Sequence, residues 1–340
     1  MDKKRNNYIS YLKGLAILGV MLVHLLDWSN IPLSNMQGWL KELLYPSVFL
    51  FIALVGSVVY VAYFNKPLML VSKKLLRRGA ELIGIYFLYS VIKLGVFNFK
   101  TEPFFWQFSE KNIFDIKHIF LFQAFSVPIT IIFTIGLLLL VSPLILWLIK
   151  TIKYPVLGVL AIFIGSLIIN YFYYPAQQPI LQLLYGEHTV LVPPLFWIQP
   201  YLLGIIFAQL GFERRRGELF SISLLLTIGY VYYYAVTNQS LRLEEYMYPL
   251  KPFYLVASSS ILFLLVYLFV WLESIKSSII KYCLAVLRLL GNATLSIYIY
   301  HWVVIDLTIW LCFPSIKLIW LMVPLWLGCY VFLKRGKIKI

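Results

Sequence analysis

Within residues 8–27, YISYLKGLAILGVMLVHLLD, three side chains are of types that do chemistry: Lys13, His24 and Asp27. An imidazole takes and returns protons near neutral pH or carries an acyl group, a carboxylate can orient it, and an ammonium can hold an anion. Lys13 and His24 are eleven positions apart, close to a whole number of turns at about 3.6 residues per turn. That spacing puts both on one face of a helix, separated by roughly 16 Å of rise. Asp27 lies one turn beyond His24 on the same side. The residues between them are apolar enough for lipid, where an ionisable group is costly and marks a functional candidate by default.

Two readings stand for His24. It is either a packing histidine satisfied by a neighbouring hydroxyl or carbonyl, or a general base or acyl relay, and its cost in lipid favours the second. Asp27 either orients that imidazole or is solvated at the outer end of the span. A second imidazole, His301, lies in GNATLSIYIYHW, thirteen residues beyond Arg288, at a depth resembling that of His24. This predicts two histidines around a shared cavity, with Tyr298 and Thr294 on the face of His301 as hydrogen-bond partners. The other reading of His301 is structural, in an aromatic-rich packing helix.

Residues 66–78 concentrate five cations, and Lys74, Arg77 and Glu81 recur at i, i+3 and i+7. Topology signalling explains their number. A stripe facing into a bundle suits an anionic head group, such as the phosphates of coenzyme A, held by Lys74, Arg77 and Arg78. A local ion pair is expected between Arg77 and Glu81. Gln199 and Trp197, in FWIQPYLLG beside Pro200, either line a cavity or permit a kink. No P-loop, dinucleotide fingerprint or GxSxG elbow occurs in a fitting context.

The elements that position these groups follow from composition. The chain has 340 residues, is 61% apolar and has a mean hydropathy of +0.85, against about 45–50% apolar for soluble domains. Apolar windows long enough to cross a bilayer fall at 8–27, 45–64, 80–98, 128–149, 154–173, 191–210, 219–236, 253–272, 289–311 and 318–333. With the N-terminus cytoplasmic, 21 lysines and arginines lie on the inner side and 8 on the outer, as the positive-inside rule requires. The expected fold is all-α: a polytopic membrane bundle of about ten transmembrane helices with both termini cytoplasmic. It forms a single domain over 1–340 without an appended soluble domain or cleavable signal peptide. Segment 99–127 is expected to form an interfacial or re-entrant cap, and 175–190 a second outer loop.

The net charge of +15 sits mostly in short loops, which argues against a nucleic-acid partner and leaves anionic lipid and a phosphate-bearing cofactor. Cys283, Cys312 and Cys329 have neither disulfide-framework nor metal-ligand spacing, so no metal site is expected. A transporter or flippase relaying protons through buried histidines is the alternative class, but it favours repeat symmetry that this chain lacks.

The first span resembles the opening signature of the bacterial acyltransferase-3 family of integral membrane acyltransferases: an arginine, ten residues and a histidine. Here Lys13 and His24 stand in those places, followed in the helix by Gly14-Leu15-Ala16-Ile17. VFLFIALVGSVVY, KKLLRRGAEL, PLFWIQPYLLGIIFAQ and LLGNATLSIYIYHWVVI are similar to later motifs of that family and of the wider clan with heparan-α-glucosaminide N-acetyltransferase relatives. Lysine replaces arginine at position 13 and at the first position of an Arg-x-x-Arg pattern, here Lys74-Leu-Leu-Arg77. Charge is kept and the bidentate fork is lost.

The resemblance implies transfer of an acyl group, usually acetyl, from cytoplasmic acyl-CoA to a hydroxyl or amine of a cell-envelope carbohydrate or lipid-linked glycan. His24 would act as base or acyl carrier, the basic groups would hold the donor, and Tyr298, His301 and Gln199 would support the cavity. The acceptor would be bound by the outer loops alone or by a separate extracytoplasmic partner, and the protein, in the plasma membrane, would have that partner or a second copy of itself beside it.

Overall fold

Lipid offers the backbone no hydrogen-bond partners, so a chain this apolar must close its own bonds within helices. The computed structural model describes residues 7–28, 35–96, 105–107, 119–120, 124–126, 129–171, 193–211, 215–247, 250–312 and 319–334. Its helices are α1 (Asn7–Trp28), α2 (Asn35–Leu44), α3 (Pro46–Tyr63) and α4 (Leu68–Gly95). Then come α5 (Thr130–Thr151), α6 (Pro155–Tyr171), α7 (Pro194–Leu210), α8 (Arg216–Val236) and α9 (Glu244–Met247). The last four are α10 (Pro252–Ser274), α11 (Ser278–Asn292), α12 (Thr294–Cys312) and α13 (Ile319–Leu333). One short antiparallel pair, β1 (Phe105–Gln107) with β2 (Ala124–Ser126), sets Trp106 opposite Phe125. It lies in the segment expected to cap the outer side; most of 99–127 and all of 175–190 are outside the described residues.

Nine of the ten apolar windows fall on one helix each, and 289–311 runs across two. Among the described residues, six stretches are long and apolar enough to cross a membrane: Asn7–Leu26, Gly38–Tyr63, Thr130–Thr151, Arg216–Val236, Pro252–Ser274 and Thr294–Leu311. Pro155–Ile169, Pro194–Leu210 and Leu321–Val331 are shorter apolar helices, and α4 carries the remaining window. The expected span 289–311 starts too early. The helix ends at Asn292 and Ala293 leaves helical geometry at φ −113° and ψ 14°, so Arg288 belongs to α11, a separate amphipathic helix that the sequence reading missed.

Prolines and one glycine punctuate the chain. Pro67 precedes α4, and Pro194 sits in the first turn of α7, where a missing N–H costs nothing. Gly211 closes α7 in the left-handed region at φ 66°, donating its N–H to the carbonyls of Ala208 and Phe207.

The chain divides into two compact units. The second holds Val55–Gly211 with Tyr248–Leu250. Within it α4 and α5 meet at Gly79 and Gly136, where a Cβ on Gly79 would lie 2.7 Å from the Gly136 carbonyl oxygen. Ser57 on α3 donates to the Gly204 carbonyl on α7 at 2.8 Å, and Ser142 on α5 shares a 2.6 Å hydrogen bond with the Tyr201 hydroxyl.

The first unit holds Met1–Leu54, Phe212–Met247 and Lys251–Ile340. Here α1 lies against α11 without room for a Cβ: one on Gly14 would strike the Leu287 carbonyl, and one on Gly291 the Ser10 carbonyl. Such contacts between small residues are how helices associate in lipid. Tyr254 on α10 donates to the Tyr45 carbonyl at 2.8 Å, and Tyr11 on α1 packs its ring on Phe269, centroids 5.6 Å apart.

Gly14→Ala and Gly291→Ala each force this seam open and are expected to destabilise the protein by ~1–3 kcal/mol, read as a lower thermal midpoint in detergent. Gly229→Ala, at a glycine with nothing within 4 Å of the added carbon, is expected to leave the midpoint unchanged or raise it.

Candidate active site

The seam with α11 fixes α1, and ten residues beyond Gly14 the imidazole of His24 turns onto α12. Its ring stacks on His301, centroids 5.7 Å apart and planes at 16°, and leans on Trp302 at 4.4 Å and 55°. His301 also meets Tyr298 edge-on at 5.1 Å and Trp302 at 5.2 Å. Phe51 on α3 closes the group against Tyr298 at 5.8 Å. Five rings from three helices, the two imidazoles among them, thus form one packed group. His301, Trp302 and Tyr298 are buried, while His24 keeps part of its surface exposed.

The polar atoms of His301 have definite roles. Its Nδ1 lies 3.3 Å from the Ile297 carbonyl oxygen, one turn back. A carbonyl only accepts, so the ring donates through Nδ1, and a neutral ring making this bond has Nε2 as its acceptor. That Nε2 is buried and has no hydrogen-bond partner among the described residues. The expected Thr294–His301 bond does not form: the Thr294 hydroxyl donates to the Gly291 carbonyl at 2.6 Å instead. Asp27 lies on the helical backbone of α1, but its side chain is outside the described residues.

Near the start of α1, Lys13 is partly buried beside the Gly14 contact. Close by, the Tyr11 hydroxyl lies within electrostatic reach of Glu273 and Arg288. Charged groups from α1, α10 and α11 therefore gather at this end of the first unit.

The remaining expected site residues belong to the second unit. The cationic stripe of α4 was expected to face into a bundle, and it does not. The buried stripe is Val71, Leu75, Gly79, Leu82, Tyr86 and Tyr89, whereas Lys74, Arg77 and Arg78 are exposed. Spacing established a stripe but not its direction; the larger apolar stripe won the packing. The expected ion pair is present and wider than expected, with Arg77 Nε on Glu81 Oε1 at 2.9 Å and Arg78 Nη1 on Glu81 Oε2 at 3.1 Å. Gln199 on α7 is buried, and neither amide atom has a hydrogen-bond partner among the described residues.

Sequence reasoning passed over three groups. Trp302 supplies the ring closest to His24 and follows His301 directly. Asp306 is a fully buried carboxylate within α12, and Lys93, one of the 8 cations assigned to the outer side, is fully buried on α4. An ionisable residue inside an apolar helix was the available signal for both.

Residues 6–333 match a family described as an acyltransferase domain. The chain belongs to the acyltransferase-3 family. The match runs through both compact units and includes every candidate residue named above. No curated protein and no solved structure matches the chain. Membership of the acyltransferase-3 family makes it a membrane acyltransferase, and the two imidazoles are the chemistry-bearing groups that its first unit brings into contact.

Trp302 fills the space against both histidines, so Trp302→Ala is expected to cost ~3–5 kcal/mol, measured by unfolding in detergent. Trp302→Phe, which keeps an aromatic ring there, is expected to lose less than half as much.

Proposed function

We propose that the protein moves an acyl group, in the first instance acetyl, from cytoplasmic acyl-CoA to a hydroxyl or amine of a cell-envelope carbohydrate or lipid-linked glycan. The observation carrying this reading is the ring of His24, partly exposed and turned onto His301 and Trp302. An imidazole so held, in a family of acyltransferases, suits a general base. His24 would take the proton of the acceptor as its oxygen or nitrogen attacks the thioester carbonyl. The carbon–sulfur bond then breaks, and the leaving thiolate takes the proton back from the imidazolium. A stepwise route, with the acyl group resting on His24 in between, uses the same groups.

Holding the donor requires cations for its phosphates. Lys13 is near the start of α1, and the exposure of Lys74, Arg77 and Arg78 leaves them open to an anionic ligand. Asp27 would orient His24. The arrangement in the cell that fits this reading is a bundle of about ten spans in the plasma membrane with both termini cytoplasmic. The acceptor would be taken from the outer side, through the loops or a separate partner. The cation imbalance of 21 to 8 supports that orientation.

His24→Ala is expected to abolish acyl transfer by the purified protein while leaving its thermal midpoint within a few degrees; full activity in the variant would remove His24 from the mechanism. Lys13→Gln is expected to weaken acyl-CoA binding by about tenfold, the loss of one charge-assisted contact, with a smaller fall in the rate at saturating donor. Titration calorimetry showing unchanged donor affinity would take Lys13 out of the donor site.

A further inference from the structure

Two neighbouring turns of the second unit carry cations that no carboxylate answers. Helices α3 and α5 belong to stretches long enough to cross a membrane, so where they end, at Tyr63 and Thr151, headgroups replace hydrocarbon. The end of α5 closes onto the end of α3. The Lys150 ammonium donates to the Lys66 carbonyl and lies over the Phe64 ring, 6.0 Å from its centroid. Lys66 lies over the Tyr63 ring at 5.3 Å, and Lys153 over the Tyr154 ring at 5.5 Å. An aromatic face steadies an ammonium without cancelling its charge. Among the described residues, none of the three is ion-paired with a carboxylate.

Helix ends and topology account for only part of this. Lys150, in the last turn of α5, complements the carbonyl end of that helix. Lys66 and Lys153 lie past the ends of α3 and α5. Topology signalling sets how many cations a loop holds and not that they gather. The surface next to them also changes character. Val61 on α3, Trp147 on α5 and Leu157 on α6 are exposed, each within about a turn of one of the helix ends that carry the lysines. A soluble phosphate has no use for apolar surface beside its cations. A phospholipid uses both.

We propose that Lys66, Lys150 and Lys153 bind the phosphate of an anionic phospholipid whose acyl chains lie against Val61, Trp147 and Leu157. With one N–H on the Lys66 carbonyl, Lys150 keeps two for phosphate oxygens. Three cations with no carboxylate among them favour a headgroup of net negative charge over a zwitterionic one. None of the three is among the cations assigned to the acyl donor above, so this site stands or falls apart from the transferase reading.

The full chain, purified in detergent, would be titrated with dioleoylphosphatidylglycerol or dioleoylphosphatidylcholine, and bound lipid read by native mass spectrometry. The wild type is expected to hold phosphatidylglycerol about tenfold more tightly, and the preference to shrink as salt is raised. Lys66→Gln, Lys150→Gln and Lys153→Gln together are expected to abolish the preference. Lys153→Gln alone, at an exposed side chain whose loss leaves the fold intact, is expected to weaken binding about fivefold. Lys276→Gln with Lys281→Gln, two exposed cations of the first unit, is expected to change nothing.

Equal affinity for the two lipids overturns the proposal, as does a preference that survives in Lys153→Gln and in the triple variant. An equal loss in the first-unit control shows attraction by net charge alone and overturns it too. Inorganic phosphate or coenzyme A displacing phosphatidylglycerol at equal concentration would make this a site for soluble phosphate, with no lipid specificity.

Discussion

Helices in hydrocarbon gain no hydrophobic stabilisation by meeting one another, so shape must hold α1 where it is. Gly14 against the Leu287 carbonyl and Gly291 against the Ser10 carbonyl are contacts at which no side-chain atom fits. This seam sets how α1 lies on α11, and the short break at Ala293 then sets how α12 leaves it. The position of His24 relative to His301 follows from those two constraints. A slip of one residue in α1 would swing the imidazole about 100° around the helix, away from the α12 rings.

The polar groups are held on different terms. In lipid every buried donor and acceptor needs a partner, and most hydroxyls here return theirs to the helix: Ser90 to Tyr86, Ser259 to Leu255, Thr308 to Val304. His301 follows the same rule with one nitrogen and breaks it with the other. Gln199 breaks it with both amide atoms. Stability alone gives no reason to keep such groups, since an apolar residue of similar size would be cheaper.

Helix positions were legible because lipid enforces them: an apolar run long enough to span has almost no alternative fold. The two imidazoles were legible as a pair because ionisable groups at similar depth stand out against leucine and phenylalanine. The depth argument nevertheless used Arg288 as its ruler, and Arg288 sits on another helix. The apolar window starting at 289 hid that break, since Leu289 and Leu290 end an amphipathic helix as readily as they begin a span. The direction of the α4 cations was not legible either. A helical wheel orders faces relative to one another, and Val71, Leu75, Leu82 and Tyr86 outweigh a cationic stripe in choosing which face is buried. Lys93 was misplaced for the opposite reason: a single cation at the end of an apolar window looks like a loop residue until its burial is seen.

The exposed arginines of α4 acquire a different meaning once their direction is corrected. Both guanidinium groups share one carboxylate, Glu81, and the side chains of Arg77 and Arg78 are 81% and 53% exposed. Ion pairs in water are screened and contribute little to a fold, so this arrangement is poorly explained as a structural brace. Two cations facing one anion carry an excess positive charge that a phosphate ester, with more charge and more acceptor oxygens than Glu81, can satisfy better. Under the transferase reading, Glu81 keeps the two side chains together on one face while the donor is absent. Lysine at position 74 would then matter less than the resemblance suggests, because Arg77 and Arg78 would supply the forked, planar recognition of phosphate. Lys74 is left to act as a point charge at the edge of that surface.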